Sequence, residues 1–361
     1  MADFDLTLKS IDKGREGLNT GLDFGLPKLM NIIPGLQQGT YTIIGGETAS
    51  AKSSYCLNSY LFNPYSILRA NNPMGLSMKV FYYSLEIDKV SIISKAIARK
   101  LFFKHKYIVT VDDILSRGKH RISDELYKDV IETRGFFNEL EDALTIFEPQ
   151  NPTGIWKQVK AYMEGVGTTN TKIVNNGKKD IEIFDYYEPT NPKETVILIV
   201  DHLSILPRQL SYGVKENIDS MSSYFIALRN RYNVSVVGVQ QLNRAVSSTD
   251  RLKLKRASPQ LSDFKDTGNT TQDADIVLSL HNPFRMDEED YNGFNIIKLR
   301  DRFRWLEILK HRSGIADMGI GLNFIGELGL LQELPSPELL ELSGYDPYIN
   351  FNKLTCLRDE T

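Results

Sequence analysis

The residues from Gly46 to Ser53 have the types and the spacing of a loop that binds phosphate groups. They read Gly46-Glu47-Thr48-Ala49-Ser50-Ala51-Lys52-Ser53 and fit the pattern G-x-x-x-x-G-K-[ST] except where Ala51 replaces glycine. In such a loop, backbone N–H groups face nucleotide phosphates at a helix amino terminus. The lysine reaches the β- and γ-phosphates and the hydroxyl that follows ligates Mg²⁺. The sequence therefore predicts a nucleotide site in which Lys52 and Ser53 have these roles.

Two other interpretations of this loop stay open. A turn of small residues with a solvated lysine would have the same composition and no ligand. Ala51 also adds a methyl group where backbone and phosphate approach closely. This methyl group is tolerated if the φ angle of Ala51 is negative, and it strains the loop if φ is positive. A protein that binds nucleotide but hydrolyses it poorly is therefore an alternative.

Three further side chains with suitable chemistry come at the ends of predicted strands. Asp201 follows the aliphatic run Val196–Val200, Glu86 follows Phe81–Leu85, and Gln241 follows a third apolar run. Phosphoryl transfer needs an acid that supports the metal ion and a residue that orients or activates the attacking water. Singly, each acid is more often a capping or loop residue. Ligands of open α/β sheets bind beyond the carboxyl ends of the strands, so we expect all three to converge with the phosphate loop in an ATPase site.

The elements that must position these residues alternate along the chain. β-branched and aromatic runs predict strands, and stretches with helical apolar spacing lie between them. This alternation predicts an α/β fold with a mostly parallel central sheet flanked by helices. The predicted strands are 40–44, 79–85, 195–200, 234–239, 275–280 and 305–309, the predicted helices are 52–69, 88–103 and 218–232, and the polar residues 168–192 are an expected exposed insertion.

Composition excludes several classes of protein. The 361 residues are 41% apolar and 25% charged, which is enough to bury a core. The net charge of −3 excludes a uniformly basic coating protein, although local basic loops can still bind a nucleic acid. The two cysteines lie far apart and the five histidines are scattered, so we expect no disulfide scaffold or zinc module and a reducing cytoplasm. We also expect no secretory signal and no membrane span.

Beyond these residues, the chain resembles the RecA-type motor domain of replicative hexameric helicases, the DnaB-like family. The resemblance spans about residues 20–334 and includes six motifs in the order that the family has them. The Walker A motif resembles Gly46–Ser54, the catalytic-glutamate strand end Ser84–Glu86, the Walker B motif Asp201–Leu206, the glutamine motif Val239–Arg244, the DNA-contacting loop and next strand Asp263–Gly268 with Gln272–Asp275, and the K-x-R motif Lys310–Arg312.

The resemblance implies a RecA-like P-loop NTPase fold and an ATP-dependent DNA helicase that moves along single-stranded DNA as a hexameric ring. It implies ATP and Mg²⁺ as cofactors, and primase, polymerase or a helicase loader as partners. The implied catalytic residues are Glu86, Lys52, Gln241, Arg312 and Lys310, the nucleotide-binding residues are Gly46, Glu47, Thr48, Ala49, Ser50, Ala51, Lys52, Ser53 and Ser54, the metal ligands are Ser53 and Asp201, and the DNA-binding residues are Arg208, Lys215, Lys265, Asp266 and Gly268.

The chain also departs from the family pattern. Residues 1–20 are expected to be an arm or linker, 21–334 the motor domain and 335–361 a tail, so the family's amino-terminal helical domain and a primase domain are not expected. A stripped-down motor of this kind suggests a phage-encoded protein that acts in the host cytoplasm. Within the same fold class, a RecA/RadA-like recombinase or a clock-type ATPase is the alternative, and a hydrolysis-impaired structural ring is another.

Lys310 and Arg312 are expected on one face of a strand that starts at Trp305, because residues two apart point the same way. With no acid between them, the two cations repel each other unless an anion lies opposite. In a ring, that anion can be the ATP phosphates of the neighbouring subunit. The alternative is an exposed edge strand whose charges discourage aggregation.

Overall fold

The β-branched and aromatic runs form strands, nine of which join one sheet in the part of the chain that the structure describes. This computed structural model describes residues 3–117, 121–175, 177, 179–209, 211–243, 258–267 and 269–351. Its strands are β1 (Tyr41–Gly46), β2 (Ser77–Ser84), β3 (Leu144–Phe147), β4 (Gly167–Asn175), β5 (Asp180–Pro189), β6 (Glu194–Asp201), β7 (Ser235–Gln241), β8 (Ile276–His281), β9 (Asp290–Tyr291), β10 (Phe294–Asn295), β11 (Phe303–His311), β12 (Met318–Ile325) and β13 (Leu330–Glu333).

The order of strands in the sheet is β13-β12-β11-β8-β1-β7-β6-β2-β3. The six strands from β8 to β3 run parallel, whereas β11, β12 and β13 add an antiparallel extension. The phosphate-loop strand β1 lies between β7 and β8 near the centre. All the parallel strands therefore end at the same edge as β1, which is where a ligand of an α/β sheet binds.

Helices cover the sheet and connect its strands. The first predicted helix, 52–69, is divided by a π-helical turn at Asn58–Phe62, where Pro64 lacks the N–H that would continue regular bonding. The α-helices are α1 (Asp3–Arg15), α2 (Pro27–Met30), α3 (Lys52–Leu57), α4 (Asn63–Ala70), α5 (Lys89–His105), α6 (Val111–Ile114), α7 (Asp124–Glu132), α8 (Arg134–Ala143), α9 (Pro152–Gly165), α10 (Val214–Tyr232), α11 (Thr270–Asp273), α12 (Ile296–Leu299), α13 (Pro337–Ser343) and α14 (Asp346–Ile349).

The two faces of the sheet have separate hydrophobic cores. Ile44 of β1 belongs to a core with residues of α3, α5 and α8. Its neighbour Ile43 points to the opposite face and belongs to a core with residues of α9 and α10. Because successive strand residues alternate between faces, a strand buried on both sides is continuously apolar. The predicted α/β class, with a mostly parallel sheet flanked by helices, is confirmed.

Three regions outside the predicted strands and helices have structure of their own. The expected arm contains the exposed helix α1, and the insertion is a two-stranded hairpin of β4 and β5. Residues 335–351 of the expected tail form α13 and α14, where Leu340 and Tyr345 pack with Phe294 and Phe303. None of the helices among the described residues has both the length and the apolar character that crossing a membrane requires.

Candidate nucleotide site

The predicted phosphate loop connects the end of β1 to the start of α3. Gly46 ends the strand and Lys52 begins the helix. A Cβ atom on Gly46 would lie 2.3 Å from the Ser50 Oγ and 2.5 Å from the Leu280 carbonyl oxygen, so the turn leaves no room for a side chain there. Ser53 and Ser54 lie in the first turn of α3. The strand–loop–helix order is the one that phosphate binding at a helix amino terminus requires.

The backbone of the loop is left-handed at two alanines. Ala51 has a φ angle of +76° and Ala49 one of +63°. Of the two possibilities for Ala51, the structure therefore has the strained one, since a Cβ atom in the left-handed region approaches the following carbonyl oxygen. From Glu47 to Lys52 the loop has no glycine to relieve this strain.

Replacing Ala51 with glycine is therefore expected to raise the free energy of unfolding by about 0.5–1 kcal/mol, because glycine adopts a positive φ angle without a steric cost. Chemical denaturation of both proteins measures this difference. Ala161→Gly is the matched control, because Ala161 is exposed within α9 and has no positive φ angle. That control is expected to lose about 1 kcal/mol. A loss of stability in Ala51→Gly as well would show that the loop is not strained at this residue.

The Lys52 side chain folds back over the phosphate loop. Its Nζ donates to the Glu47 carbonyl oxygen over 2.7 Å. Burial lowers the pKa of Lys52, and the nearby carboxylates of Glu47, Asp201 and Glu86 oppose that shift. A desolvated lysine among carboxylates is a strong binding group for an incoming polyanion, since phosphate oxygens can replace the carbonyl as its partner.

Asp201 ends β6 beside the phosphate loop and is buried. The Tyr82 hydroxyl donates to its Oδ2 over 2.8 Å. Burial raises the pKa of Asp201, and the hydroxyls of Ser53 and Tyr82 lower it in part. Oδ1 makes no hydrogen bond of normal geometry to any described residue, although Ser53 is close enough to affect the pKa. A buried carboxylate oxygen with this open position, next to a serine hydroxyl, is a donor set that fits Mg²⁺.

Glu86 lies just beyond the end of the neighbouring strand β2. Its side chain is 64% exposed, and its Oε2 lies 4.0 Å from the Nε2 of His202. The peptide bond between Asp201 and His202 is cis. Burial lowers the pKa of His202 although Asp201 and Glu86 raise it. Glu86 is therefore a carboxylate at the same sheet edge as Lys52 that water can reach.

Gln241, at the end of β7, contacts the phosphate loop directly. Its Nε2 donates to the Thr48 Oγ1 over 2.7 Å. The next two residues continue the connection, because the Leu242 N–H donates to the Gly46 carbonyl and the Asn243 N–H to the Asp263 carbonyl. These bonds link the phosphate loop to the 3₁₀ helix Leu261–Thr267.

The same 3₁₀ helix is held against the phosphate-loop strand by an aromatic ring. Phe264 is buried, and a Cβ atom on Gly45 would lie 2.2 Å from its ring. Glycine at position 45 is therefore needed for this close approach. A change in the phosphate loop can reach the predicted DNA loop through a short, packed path.

The predicted DNA-binding residues lie in three places. Arg208 and Lys215 are exposed beyond the end of β6, and neither forms an ion pair with a described residue. The backbone of Lys265 and Asp266 belongs to the 3₁₀ helix Leu261–Thr267. Gly268 and residues 244–257, which include most of the basic stretch, lie outside the described residues.

Lys310 and Arg312 share one face, as predicted, and both reach the Gln272 carbonyl. The structure provides an anion for Arg312 that was not expected, because its Nη1 lies 2.9 Å from the Asp275 Oδ1. Asp275 also pairs with Arg229, at 2.9 Å. The alternative of an edge strand is wrong, since β11 is bonded to β8 on one side and to β12 on the other.

The two cations lie at the opposite edge of the sheet from their own phosphate loop. Lys310 pairs with Val277 near the start of β8, and the Tyr41 N–H at the start of β1 donates to Asp275. The phosphate loop begins at the other end of β1, about 16 Å away at about 3.3 Å per strand residue. Lys310 and Arg312 are therefore placed to face a site other than their own.

Sequence reasoning missed three residues that contact the site. Tyr82 bonds to Asp201, Arg304 donates to the Ala49 carbonyl over 3.3 Å, and His281 lies 2.9 Å from the Glu47 carboxylate. His281 ends a parallel strand next to β1, so the rule that identified Asp201 and Gln241 would also have found it. Arg304 lies on an antiparallel strand and gives no signal of this kind.

Comparison with known proteins agrees with this architecture. Residues 154–332 match the family model of the DnaB-like helicase C terminal domain. The replicative DNA helicase DnaB of Helicobacter pylori strain J99 is 23% identical over 265 residues, which are 73% of this chain and 44% of that protein. A probable replicative DNA helicase of Trieres chinensis is 21% identical over 306 residues, 84% of this chain and 55% of that protein. The chain thus spans about half the length of these relatives.

Two solved structures share the fold. One is an isolated ATPase domain that superimposes with a TM-score of 0.67 at 20% identity and covers 93% of this chain and all of that one. The other is a DnaB-like replicative helicase, described with its interactions with primase, which has a TM-score of 0.65 at 20% identity and covers 92% of this chain and 68% of that one. Together with the family match, the sheet order and the phosphate loop, these likenesses identify the chain as carrying a RecA-type motor domain of the DnaB-like helicases.

Proposed function

We propose that this protein is a replicative DNA helicase that hydrolyses ATP to move along single-stranded DNA. The observation that carries the proposal is the convergence of the phosphate loop, Asp201, Glu86 and Gln241 at one edge of the sheet. The likeness to replicative helicases supports the same interpretation. The motor comprises residues 21–334 in this proposal, with an arm before it and a tail after it, and it acts in the cytoplasm.

Each residue of the site has a distinct role in this mechanism. The backbone N–H groups of the phosphate loop and Lys52 bind the β- and γ-phosphates, and Lys52 exchanges the Glu47 carbonyl for phosphate oxygens. Glu86 orients the attacking water and accepts its proton. Ser53 and Asp201 would hold Mg²⁺, which when bound neutralises charge that develops on the phosphate oxygens.

Gln241 passes the state of the site to the DNA loops. It bonds to Thr48 in the phosphate loop and is followed by Leu242 and Asn243, which bond to Gly46 and Asp263. DNA binding by Arg208, Lys215 and the 263–268 loop would act mainly on phosphates, and it should tolerate any sequence and weaken with salt.

The position of Lys310 and Arg312 supports a ring in which neighbouring subunits share sites. We propose a hexamer in which both residues face the nucleotide of the next subunit. A primase is the favoured partner, because one of the two similar structures is that of a helicase described with its interactions with primase. A RecA/RadA-like recombinase or clock-type ATPase, the alternative within this fold, would bind DNA or hydrolyse ATP without unwinding a fork.

Unwinding of a forked DNA duplex tests the proposed function. A labelled strand should be released with ATP and Mg²⁺ and should stay annealed when ATP is omitted. ATP hydrolysis measured with and without single-stranded DNA separates the alternatives. Hydrolysis without unwinding favours the recombinase or clock-type ATPase, and nucleotide binding without hydrolysis favours the structural ring.

Replacing Glu86 with glutamine is expected to leave ATP binding largely intact and to slow hydrolysis by about a hundredfold, because the amide keeps the shape of the side chain but cannot accept a proton. Equilibrium binding and steady-state hydrolysis measure the two effects separately. Glu148→Gln is the control, since Glu148 is an exposed carboxylate that follows β3 at the same edge of the sheet but has no assigned role. Loss of ATP binding in Glu86→Gln would instead mark Glu86 as a structural residue.

A further inference from the structure

Two buried side chains from neighbouring strands contact the phosphate loop from outside the set that the proposed mechanism uses. One is His281, the last residue of β8, and the other is Arg304, the second residue of β11. Both contact the loop between Gly46 and Lys52, where two alanines are left-handed and no residue is glycine. These contacts are where the strained loop can be held in place.

His281 holds the side chain of Glu47. The imidazole is fully buried, and its Nδ1 lies 2.9 Å from the Glu47 Oε1. On the other side of the ring, Nε2 lies 3.9 Å from the Glu288 Oε1. The Glu47 side chain is itself only 14% exposed. Water therefore replaces this contact poorly, and breaking it would leave a carboxylate buried without its partner.

Arg304 holds the backbone at Ala49. Its Nη2 donates to the Ala49 carbonyl oxygen over 3.3 Å. Its Nη1 donates to the carbonyl oxygens of Asp301 and Phe303 over 2.8 and 2.7 Å, and its Cζ lies 4.8 Å from the centre of the Phe324 ring. A guanidinium fixed in this way has one orientation, so the Ala49 carbonyl has a fixed partner.

We propose that His281 and Arg304 are positioning residues that hold the phosphate loop in its left-handed, nucleotide-ready conformation. Neither residue touches the phosphates in this proposal. Both act through the loop, His281 through the Glu47 side chain and Arg304 through the Ala49 carbonyl. In this chain the two contacts restrain a loop that lacks the glycine of the usual pattern. The inference rests on the proposed function, because it concerns the same ATP site.

The charge of His281 should make this support depend on pH. The groups that face the ring are Glu47 from the loop, Glu288, Tyr291 on β9 with its ring 5.1 Å away, and Glu307 on β11. Burial lowers the pKa of His281, but Glu288 and Glu47 together raise it by more, so the pKa is above its ordinary value. A raised pKa means that the contact is at full strength below about pH 6.5 and is lost as the pH rises through the folded-state pKa.

Equilibrium ATP binding and the KM for ATP, measured from pH 6 to 9, test the inference. In the wild type, both constants should weaken by about tenfold as the pH rises, with a midpoint above about 6.5 and a smaller change in kcat. His281→Gln should bind ATP about tenfold more weakly at pH 6 and should lose most of this pH dependence. His105→Gln is the matched control, because His105 pairs with Asp129 on the helical side of the fold, away from the loop.

Glu47→Gln tests the same contact from the loop side and keeps the inference testable if His281→Gln does not fold. It should weaken ATP binding at pH 6 and flatten the pH profile, and the double variant should be no worse than either single one. Arg304→Lys should also raise the KM, because one ammonium cannot make the same set of bonds.

The outcomes separate the two proposals. If the wild type fails to bind ATP at any pH, the proposed function is wrong. If the wild type binds ATP, but His281→Gln and Glu47→Gln match it in affinity and in pH profile, the positioning inference is overturned while the ATP site stands. Additive effects of the two substitutions would also overturn it, since residues that act through one contact are not additive.

Discussion

Replacing Lys52 with alanine is expected to slow ATP hydrolysis by about a thousandfold while the protein stays folded. The substitution removes the cation that faces the transferred phosphate, where one preorganised donor contributes about a hundredfold to a thousandfold in rate. The loop should keep its shape, because it is also bonded through Gln241, His281 and Arg304. Steady-state release of phosphate with single-stranded DNA present measures the effect.

Two comparisons make the Lys52 result specific. Lys157→Ala, on the exposed face of α9, removes the same charge away from the site and should hydrolyse ATP at the wild-type rate. Thermal melting of Lys52→Ala should match that of the wild type closely, because the hydrogen bond from Nζ to the Glu47 carbonyl stays within the loop. Turnover near the wild-type rate in Lys52→Ala would remove the phosphate loop from the mechanism.

Much of the fold and the site follows from the sequence because both depend on local pattern. Continuous apolar runs predicted β1, β2, β6 and β7, since strands buried on both faces cannot alternate with polar residues. Parallel strands end at one edge, so polar residues just after those runs were expected to meet. The contact of Gln241 with Thr48 is an instance of this rule.

The remaining features depend on contacts between distant parts of the chain. The sign of φ at Ala51 is set by packing around the loop and cannot be read from the residue type. Arg304 lies far along the chain from Ala49, and its role appears only when β11 is placed beside β8. The pairing of Arg312 with Asp275 is similar, because it depends on which residue precedes the neighbouring strand.

Replacing Arg312 with alanine is expected to leave folding, ATP binding and assembly intact and to slow hydrolysis by about 10³- to 10⁵-fold. This is the range by which an arginine supplied to a neighbouring nucleotide site accelerates hydrolysis. Arg312 cannot serve its own phosphate loop, which lies at the other edge of the sheet. Its side chain is half exposed and bonded weakly, at 3.4 to 3.5 Å, to two carbonyls, so it can reorient toward a neighbouring subunit.

Asp275 provides a matched control for a purely structural role. Arg229 pairs with the same carboxylate at the same distance, 2.9 Å, but it lies on α10 and is mostly buried. If Arg312 only neutralised Asp275, Arg229→Ala would slow hydrolysis as much as Arg312→Ala. In the shared-site mechanism, Arg229→Ala should lower stability and leave most of the hydrolysis rate. Equal losses in the two variants would place Arg312 in the structural group.

Mixing Arg312→Ala with Lys52→Ala subunits distinguishes a residue that acts in its own subunit from one that acts on a neighbour. Each variant alone is inactive for a different reason, the first because no site receives Arg312 and the second because no site has Lys52. In a mixed ring, some interfaces join an intact phosphate loop from an Arg312→Ala subunit to an intact Arg312 from a Lys52→Ala subunit. Those interfaces should hydrolyse ATP, so the mixture should recover part of the wild-type rate. If it stays as inactive as its parents although labelled subunits exchange, Arg312 and Lys52 do not meet across an interface.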